Sequence, residues 1–438
     1  MSIALVTALI VIALLALMVL GTPLGVATLL VSVATSLIYF GLPGLFLVSS
    51  NVYHVLENYS LVAVPLFVFM AGILERSGIA ESLFDAMAEL GGSFPGSLGI
   101  QTCVVAVFLA AMSGIMGGEI VMLGMIALPQ MFRLGYDRKL SIGIICASGA
   151  LATLIPPSIV MIVYGVTANV SISDLFLGGT GPGLLLASIY MLYIYSRARM
   201  NPALAPALPE KEGPSGPRKR AAIKALIAPL FVITSVMGTI YSGIASVTEA
   251  AAIGACAALL VALLRRRLSY GMIRDTFRQT VLTVGSVVWL VLGAVSLVGI
   301  YNIIGGSRFL QGVLEGLDWH PLLVVLLMMA IVFVLGTFME WIAIVFITVP
   351  IFAPVVVGFG YDPIWFGVLF AMNIQIYYLS PPFGPAAFYL KSVAPKDMSL
   401  SEIFRALIPF ICIQVVALAI VLFFPQVALW LPEWLKGN

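Results

Sequence analysis

GYDRKLSIGIICASGALATLIPPS, residues 135–158, returns near the end of the chain as GYDPIWFGVLFAMNIQIYYLSPPF, residues 360–383. The two stretches align without a gap at an offset of 225 residues, so Asp137 falls on Asp362 and Pro156-Pro157 on Pro381-Pro382. Upstream of each, a glutamate stands ten residues before a proline: Glu119 and Pro129, then Glu340 and Pro350. A proline lacks an N–H and clashes with the carbonyl four residues back, so each apolar helix should unwind just before its proline pair. Interrupted helices at matched positions in two halves of an apolar chain point to the binding site of a transporter.

Composition supports a membrane setting. Hydrophobic residues make up 62% of the 438 and charged residues 9%. A soluble protein carries about a quarter charged residues, and so few could not cover a water-exposed surface of this size. Most segments between breaks are apolar runs of about 20 residues, the length that crosses a bilayer. The fold class is therefore an all-α polytopic membrane protein. The run from Ser2 to Leu20 lacks a basic leader region and reads as a retained span. A net charge of +2 says little about partners. Cys103, Cys146, Cys256 and Cys412 stand singly in apolar segments and read as packing residues.

Ordinary spans are expected at 3–20, 23–41, 59–75 and 175–196. Residues 78–92 place Glu81, Asp85 and Glu89 on one face among apolar positions, the pattern of a helix lying in the interface. The run 96–130 is broken by SGIMGGE (113–119) and reads as a re-entrant hairpin. Irregular backbone at membrane depth is tolerated only inside protein or along a cavity. The first proline-broken helix follows at 139–168. Residues 197–224 hold five prolines and the run Arg218-Lys219-Arg220, and read as a linker between an N-terminal half (1–196) and a C-terminal half (225–438).

The second half repeats the order. Spans at 225–242, 247–264 and 281–304 precede a short segment with Arg308, Glu315 and Asp318. A second hairpin (320–355), a second broken helix (363–390) and a last span (403–424) complete it. Basic loops favour the cytoplasm, which places 197–224, 265–278, Arg133, Arg138, Lys139, Lys391 and Lys396 inside. Counting spans then sends the first hairpin in from the cytoplasm and the second from outside, an inverted repeat.

Each residue type that could carry chemistry also has a plainer reading. Unwound carbonyls ahead of the prolines suit Na⁺ and restarted half-helices attract anions, or the prolines are simple kinks. Ser113 and Thr337 at the tips offer hydroxyl oxygen to a hard cation, while the tip glycines equally serve close helix packing. Burying Glu119 or Glu340 unpaired costs at least ~2.5 kcal/mol. Each could hold a cation, carry a proton or cap the hairpin's second helix. N-capping suits Asp137 and Asp362, and Thr248 or Glu249 for the span beginning near 247. His54 and His320 belong to no metal-spaced cluster, and no phosphate loop or serine elbow is present. Trp430 and Trp434 suit an interfacial belt.

The motifs SGALATLIPPSIVMIVYG (148–165), GIASVTEAAAIGA (243–255), and GYDPIWFG with LSPPFG (360–384) resemble the large membrane subunit of tripartite ATP-independent periplasmic transporters. The resemblance runs along essentially the whole chain. It implies an elevator, in which a transport domain of hairpins and broken helices slides against a scaffold. It implies a Na⁺-coupled importer of organic acids in the bacterial inner membrane, with no enzymatic activity and no cofactor besides Na⁺ as coupling ion. It also implies two partners: a periplasmic substrate-binding protein, and a small four-helix membrane subunit expected as a separate chain.

By position, the resemblance implies a first Na⁺ site at Ser113, Gly114, Gly149, Thr153, Ile155 and Pro156. The second would use Gly336, Thr337, Leu379, Ser380 and Pro381. Substrate is expected between the tips, near Gly117, Glu119, Ser158, Glu340, Asn373 and Gly384. One departure stands out. Where the family commonly has a serine-rich or Gly-Ala-Ser run at the first tip, this chain has Gly118-Glu119, an added negative charge that would favour a cationic or zwitterionic group. A self-sufficient carboxylate carrier of the same superfamily is the alternative; a membrane enzyme or structural subunit is the reading from another class.

Overall fold

The structure is a computed structural model that describes residues 2–114, 117–208 and 216–437. Among these every regular element is helical. Helices α1 (Ile3–Val19), α2 (Leu24–Phe40), α3 (Gly44–Leu56), α4 (Ala63–Arg76) and α5 (Ile79–Leu90) come first. A hairpin follows, α6 (Ser97–Ser113) and α7 (Gly118–Arg133), and then a broken helix, α8 (Arg138–Gly149) and α9 (Ile159–Ala168). The long α10 (Ile172–Met200) closes the first half.

The second half opens with α11 (Gly216–Ile233), which runs on through a π-helical stretch to a last turn, α12 (Thr239–Tyr241). Next come α13 (Val247–Leu264), α14 (Tyr270–Ile303) and α15 (Gly306–Glu315). The second hairpin is α16 (Pro321–Gly336) and α17 (Trp341–Gly358); the second broken helix is α18 (Pro363–Leu379) and α19 (Pro385–Val393). Helices α20 (Leu400–Phe423) and α21 (Gln426–Lys436) end the chain. Among the described residues seven helices are long and apolar enough to cross a bilayer, α10, α13, α14 and α20 included, and seven shorter ones are apolar.

Three elements differ from the sequence reading. Helix α3 occupies 44–56, where no span was expected, and packs beside α2 and α14. The expected linker is invaded from both sides, because α10 persists to Met200 and α11 begins at Gly216; residues 209–215 lie outside the described residues. The second broken helix stays α-helical up to Leu379, so its break falls on and after the proline pair rather than before it. The carbonyl four residues before Pro381 is that of Tyr377, and it is taken instead by the Ser380 N–H at 2.9 Å, which closes the helix one turn short.

The capping residues follow the chemistry of helix ends. Asp137 accepts the Leu140 N–H at 2.9 Å and Asp362 the Ile364 N–H at 2.6 Å. For α13 the cap is Ser246, which closes a reciprocal box with Glu249; Thr248 instead donates to the Tyr59 carbonyl. Cys103 and Cys146 are buried packing residues, whereas Cys256 and Cys412 are exposed on the outer face, as are Trp430 and Trp434.

Basic residues tie together segments distant in sequence. The stretch 201–208 crosses the base of the first hairpin, with Gly96 N–H on the Ala205 carbonyl (2.9 Å) and Asp137 N–H on that of Leu204 (2.8 Å). Arg138 bridges Asp397 at 2.8 Å and Glu402 at 3.0 Å. Lys391 donates to the carbonyls of Lys396 and Met398, and Arg265 to Gly78 and Ser82. The hydrogen bond from Arg138 holds the Asp397 carboxyl below its ordinary range. A depressed carboxyl stabilises the fold above its unfolded value, about 3.9, and loses that contribution as pH falls through its folded value. Arg138→Ala should therefore lower the melting temperature of the detergent-solubilised protein slightly at pH 7. That difference should shrink below pH 4; one that persisted there unchanged would assign the loss to packing of the arginine stem.

Candidate functional site

The first hairpin tip sits directly on the first helix break. Between α8 and α9 a 3₁₀ turn (Ala150–Thr153) gives way to irregular backbone at 154–158, all of it buried. Gly114 caps α6 at φ +62, and its carbonyl accepts the Ile159 N–H at 3.4 Å. A Cβ at Gly114 would lie 2.1 Å from the Pro157 carbonyl oxygen, so only glycine allows this approach. Ser158 Oγ donates to the Thr153 carbonyl at 2.5 Å, and Thr153 Oγ1 to that of Ala150 at 2.9 Å. Ser113, Gly114, Thr153, Pro156 and Ser158 are thus gathered on contacting elements. Ile115 and Met116 of the tip lie outside the described residues.

The other expected first-site residues turn their side-chain faces to packing, and what they would offer a cation is backbone. Gly149 packs against Ile120 of α7, and Ile155 against Gly183 of α10. Pro156-Pro157 and Pro381-Pro382 are both cis. The second break is built differently, since Pro381, Pro382 and Phe383 are exposed. The Thr337 and Ser380 hydroxyls each donate back into their own helix, to Val334 and Ile376, both at 2.7 Å. Leu379 is buried, and Gly336 lies flat against the Tyr377 ring. Two struts tie the broken helices together: Gln375 Nε2 donates to the Ala150 carbonyl and Tyr164 Oη to that of Pro363, both at 2.9 Å.

The two glutamates occupy different settings. Glu119, in the first turn of α7, is 2% exposed; one oxygen accepts from the Ser113 hydroxyl and Oε2 has no hydrogen-bond partner. Glu340 is the N-cap residue of α17, yet its side chain makes no capping bond. Neither carboxylate caps its helix.

Two neighbouring cavities lie where the hairpins and broken helices face α4 and α14. The larger, about 640 Å³, is lined by Gly114, Ile159, Glu340, Trp341, Tyr378 and Tyr389, with α14 opposite through Thr283 and Ser286. The smaller, about 230 Å³, is lined by Glu75, Ser113, Glu119, Gln279 and Thr280. Val68, Thr283 and Tyr389 border both. Gln279 of the smaller cavity accepts from Arg76 at 2.6 Å.

Of the expected substrate residues, Glu119 and Glu340 line a cavity, and Gly117 lies under the Tyr389 ring. Ser158 is held by Thr153, and Gly384 packs on Phe404. Asn373 borders neither cavity; its amide donates to the Met329 carbonyl at 2.7 Å and ties α18 to α16. Two groups escaped the sequence reading. Thr276, Gln279, Thr280, Thr283 and Ser286 form a polar stripe along α14, legible as polar residues three and four apart in an apolar helix. The aromatic residues beside Glu340 were the second group, adjacent in sequence to the motifs already singled out.

Comparison with known proteins bears on this arrangement. The family described as "Tripartite ATP-independent periplasmic transporter, DctM component" matches residues 11–427. The C4-dicarboxylate TRAP transporter large permease protein DctM of Pseudomonas aeruginosa is 32% identical over 386 residues, covering 86% of this chain and 87% of its own. The ectoine/5-hydroxyectoine large permease protein UehC of Ruegeria pomeroyi is 32% identical over 378 residues, with 85% and 86% covered. Among solved structures, the YdaH transporter of Alcanivorax borkumensis shares the fold. Its TM-score is 0.67 at 13% identity, over 94% of this chain and 98% of that one.

Proposed function

Because the chain belongs to the tripartite ATP-independent periplasmic transporter family, as its DctM component, we propose that it is the Na⁺-coupled importer subunit of a three-part system in the bacterial inner membrane. It takes a small organic acid from a periplasmic binding protein and works beside a small four-helix membrane subunit. The observation that carries this reading is the Gly114 tip seated on the unwound 154–158 segment, next to a cavity large enough for a small solute. The relatives' printed substrates, a C4-dicarboxylate and ectoine, are small carboxylate-bearing solutes and support the substrate class.

The donor set at the first break fits a hard monovalent cation. Ser113 and Thr153 supply hydroxyl oxygen, and irregular backbone from Thr153 to Pro156 supplies carbonyls outside a helix ladder. At the second break Gly336, Thr337, Leu379, Ser380 and Pro381 supply the same oxygen types, with the hydroxyls turned inward on their helices. Na⁺, when bound, links the free energy of its gradient to occupancy of the tips. The hairpins and broken helices (α6–α9 and α16–α19) form the moving domain of an elevator, in inverted orientation, and α4 and α14 belong to the scaffold against which it slides.

Proteoliposomes test this. With the ligand found by thermal-shift screening of the cognate binding protein, uptake should require that protein, the small subunit and an inward Na⁺ gradient. Equal uptake without Na⁺ would overturn the coupling, and uptake without the binding protein would favour a self-sufficient carrier.

A further inference from the structure

We infer that the solute passing through the larger cavity carries a cationic or zwitterionic group, seated between Glu340 and the aromatic rings around it. This rests on the transport reading above and narrows its substrate.

Three observations support it. First, Trp341, Tyr378, Phe383, Phe388 and Tyr389 all line the cavity together with Glu340. The Tyr378 and Tyr389 rings stack 6.3 Å apart at 23°, and Phe383 and Phe388 lie 6.5 Å apart. Aromatic faces carry negative quadrupole density and attract cations, quaternary ammonium groups above all. Second, Glu340 has no capping bond, and no ion pair of the described residues involves it. Third, no Lys, Arg or His is among the described residues lining either cavity, while Glu75, Glu119 and Glu340 are.

A simple dicarboxylate entering this space would meet like charge and no cationic side chain among the described lining residues. A cationic head meets a carboxylate and π faces at once, in a partly enclosed site where both attractions are strong. The same cavity also reaches Ile159 and Val160 in the first turn of α9. The Ile159 N–H there is taken by the Gly114 carbonyl, so the acidic end of a zwitterion would be left to the Val160 N–H of that turn.

The test uses the large and small subunits together in lipid nanodiscs at fixed, saturating Na⁺. The probes are glycine betaine, its uncharged-head isostere 3,3-dimethylbutanoate, and succinate, with binding read by calorimetry. Betaine should bind at least about tenfold more tightly than either other probe. Glu340→Gln should erase that preference, and Glu340→Asp should keep part of it, each variant melting near the parent temperature. Equal or tighter binding of the isostere or succinate overturns the inference, as does absence of betaine binding. It is also overturned if Glu340→Gln loses stabilisation by Na⁺ while the preference remains, because the carboxylate then serves the ion. Since Na⁺-driven uptake is scored separately, an importer with no such preference defeats this inference alone.

Discussion

Gly114→Ala should reduce Na⁺-driven uptake at least about a hundredfold while leaving membrane insertion and helix content intact. Two costs fall on the same atom. An alanine held at φ +62 is disfavoured by about 1–2 kcal/mol relative to glycine. Its methyl would also sit 2.1 Å from the Pro157 oxygen and 3.0 Å from the carbonyl carbon. Neither neighbour is a flexible side-chain end, so the overlap is relieved only by lifting the tip from the break. That movement breaks the Ile159 N–H bond to the Gly114 carbonyl and opens the pocket expected to hold the ion. A hundredfold loss corresponds to about 2.7 kcal/mol, within reach of these terms combined. Gly118→Ala is the matched control: a Cβ there meets nothing within 4 Å, and uptake should stay within about twofold. Full uptake by Gly114→Ala would show that close seating of the tip is dispensable.

The second large effect is expected from Pro156-Pro157→Ala-Ala. With both N–H groups restored and the ring clash removed, an apolar run between α8 and α9 can close into continuous helix. The carbonyls of 153–156 would then enter the helix ladder, and the N-terminal turn of α9 would disappear. Uptake should fall to background, and Na⁺ should no longer raise the melting temperature of the purified complex. Expression and insertion should persist, because the run remains apolar throughout. Uptake at parental rates would reduce the prolines to a kink.

The elements legible in the sequence were those marked by backbone chemistry. Proline pairs, glycine clusters and capping aspartates impose local geometry wherever they stand, so the hairpin turns, the first break and the caps at Asp137 and Asp362 were legible, whereas the second break was placed ahead of its prolines and falls on and after them. Helix α3 could not, because its 13 residues fall short of a span and Asn51 and His54 interrupt its apolar run. The stripe on α14 was hidden for another reason. Hydropathy averages over all faces; the three- and four-residue spacing from Thr276 to Ser286 puts them on one face, but that this face walls a cavity emerges only from the packing. Asn373 illustrates a contact that only the fold supplies. Expected near substrate, this residue of the second doubled stretch donates its amide to a backbone carbonyl on α16, 44 positions away, a partner no local pattern encodes.

The stripe also has an energetic meaning. Glu119 and Glu340 border cavities whose far wall is the hydroxyl- and amide-bearing face of α14. A carboxylate translated along a wall of leucine would have to shed its hydration at each step, at several kcal/mol. Along Thr276, Gln279, Thr280, Thr283 and Ser286 it trades one set of hydrogen-bonding neighbours for the next at about 1.5 Å of rise per residue. Any sliding of the hairpin tips past this helix would therefore meet hydrogen-bonding side chains for the length of the stripe, which makes the surface it crosses more nearly level in energy.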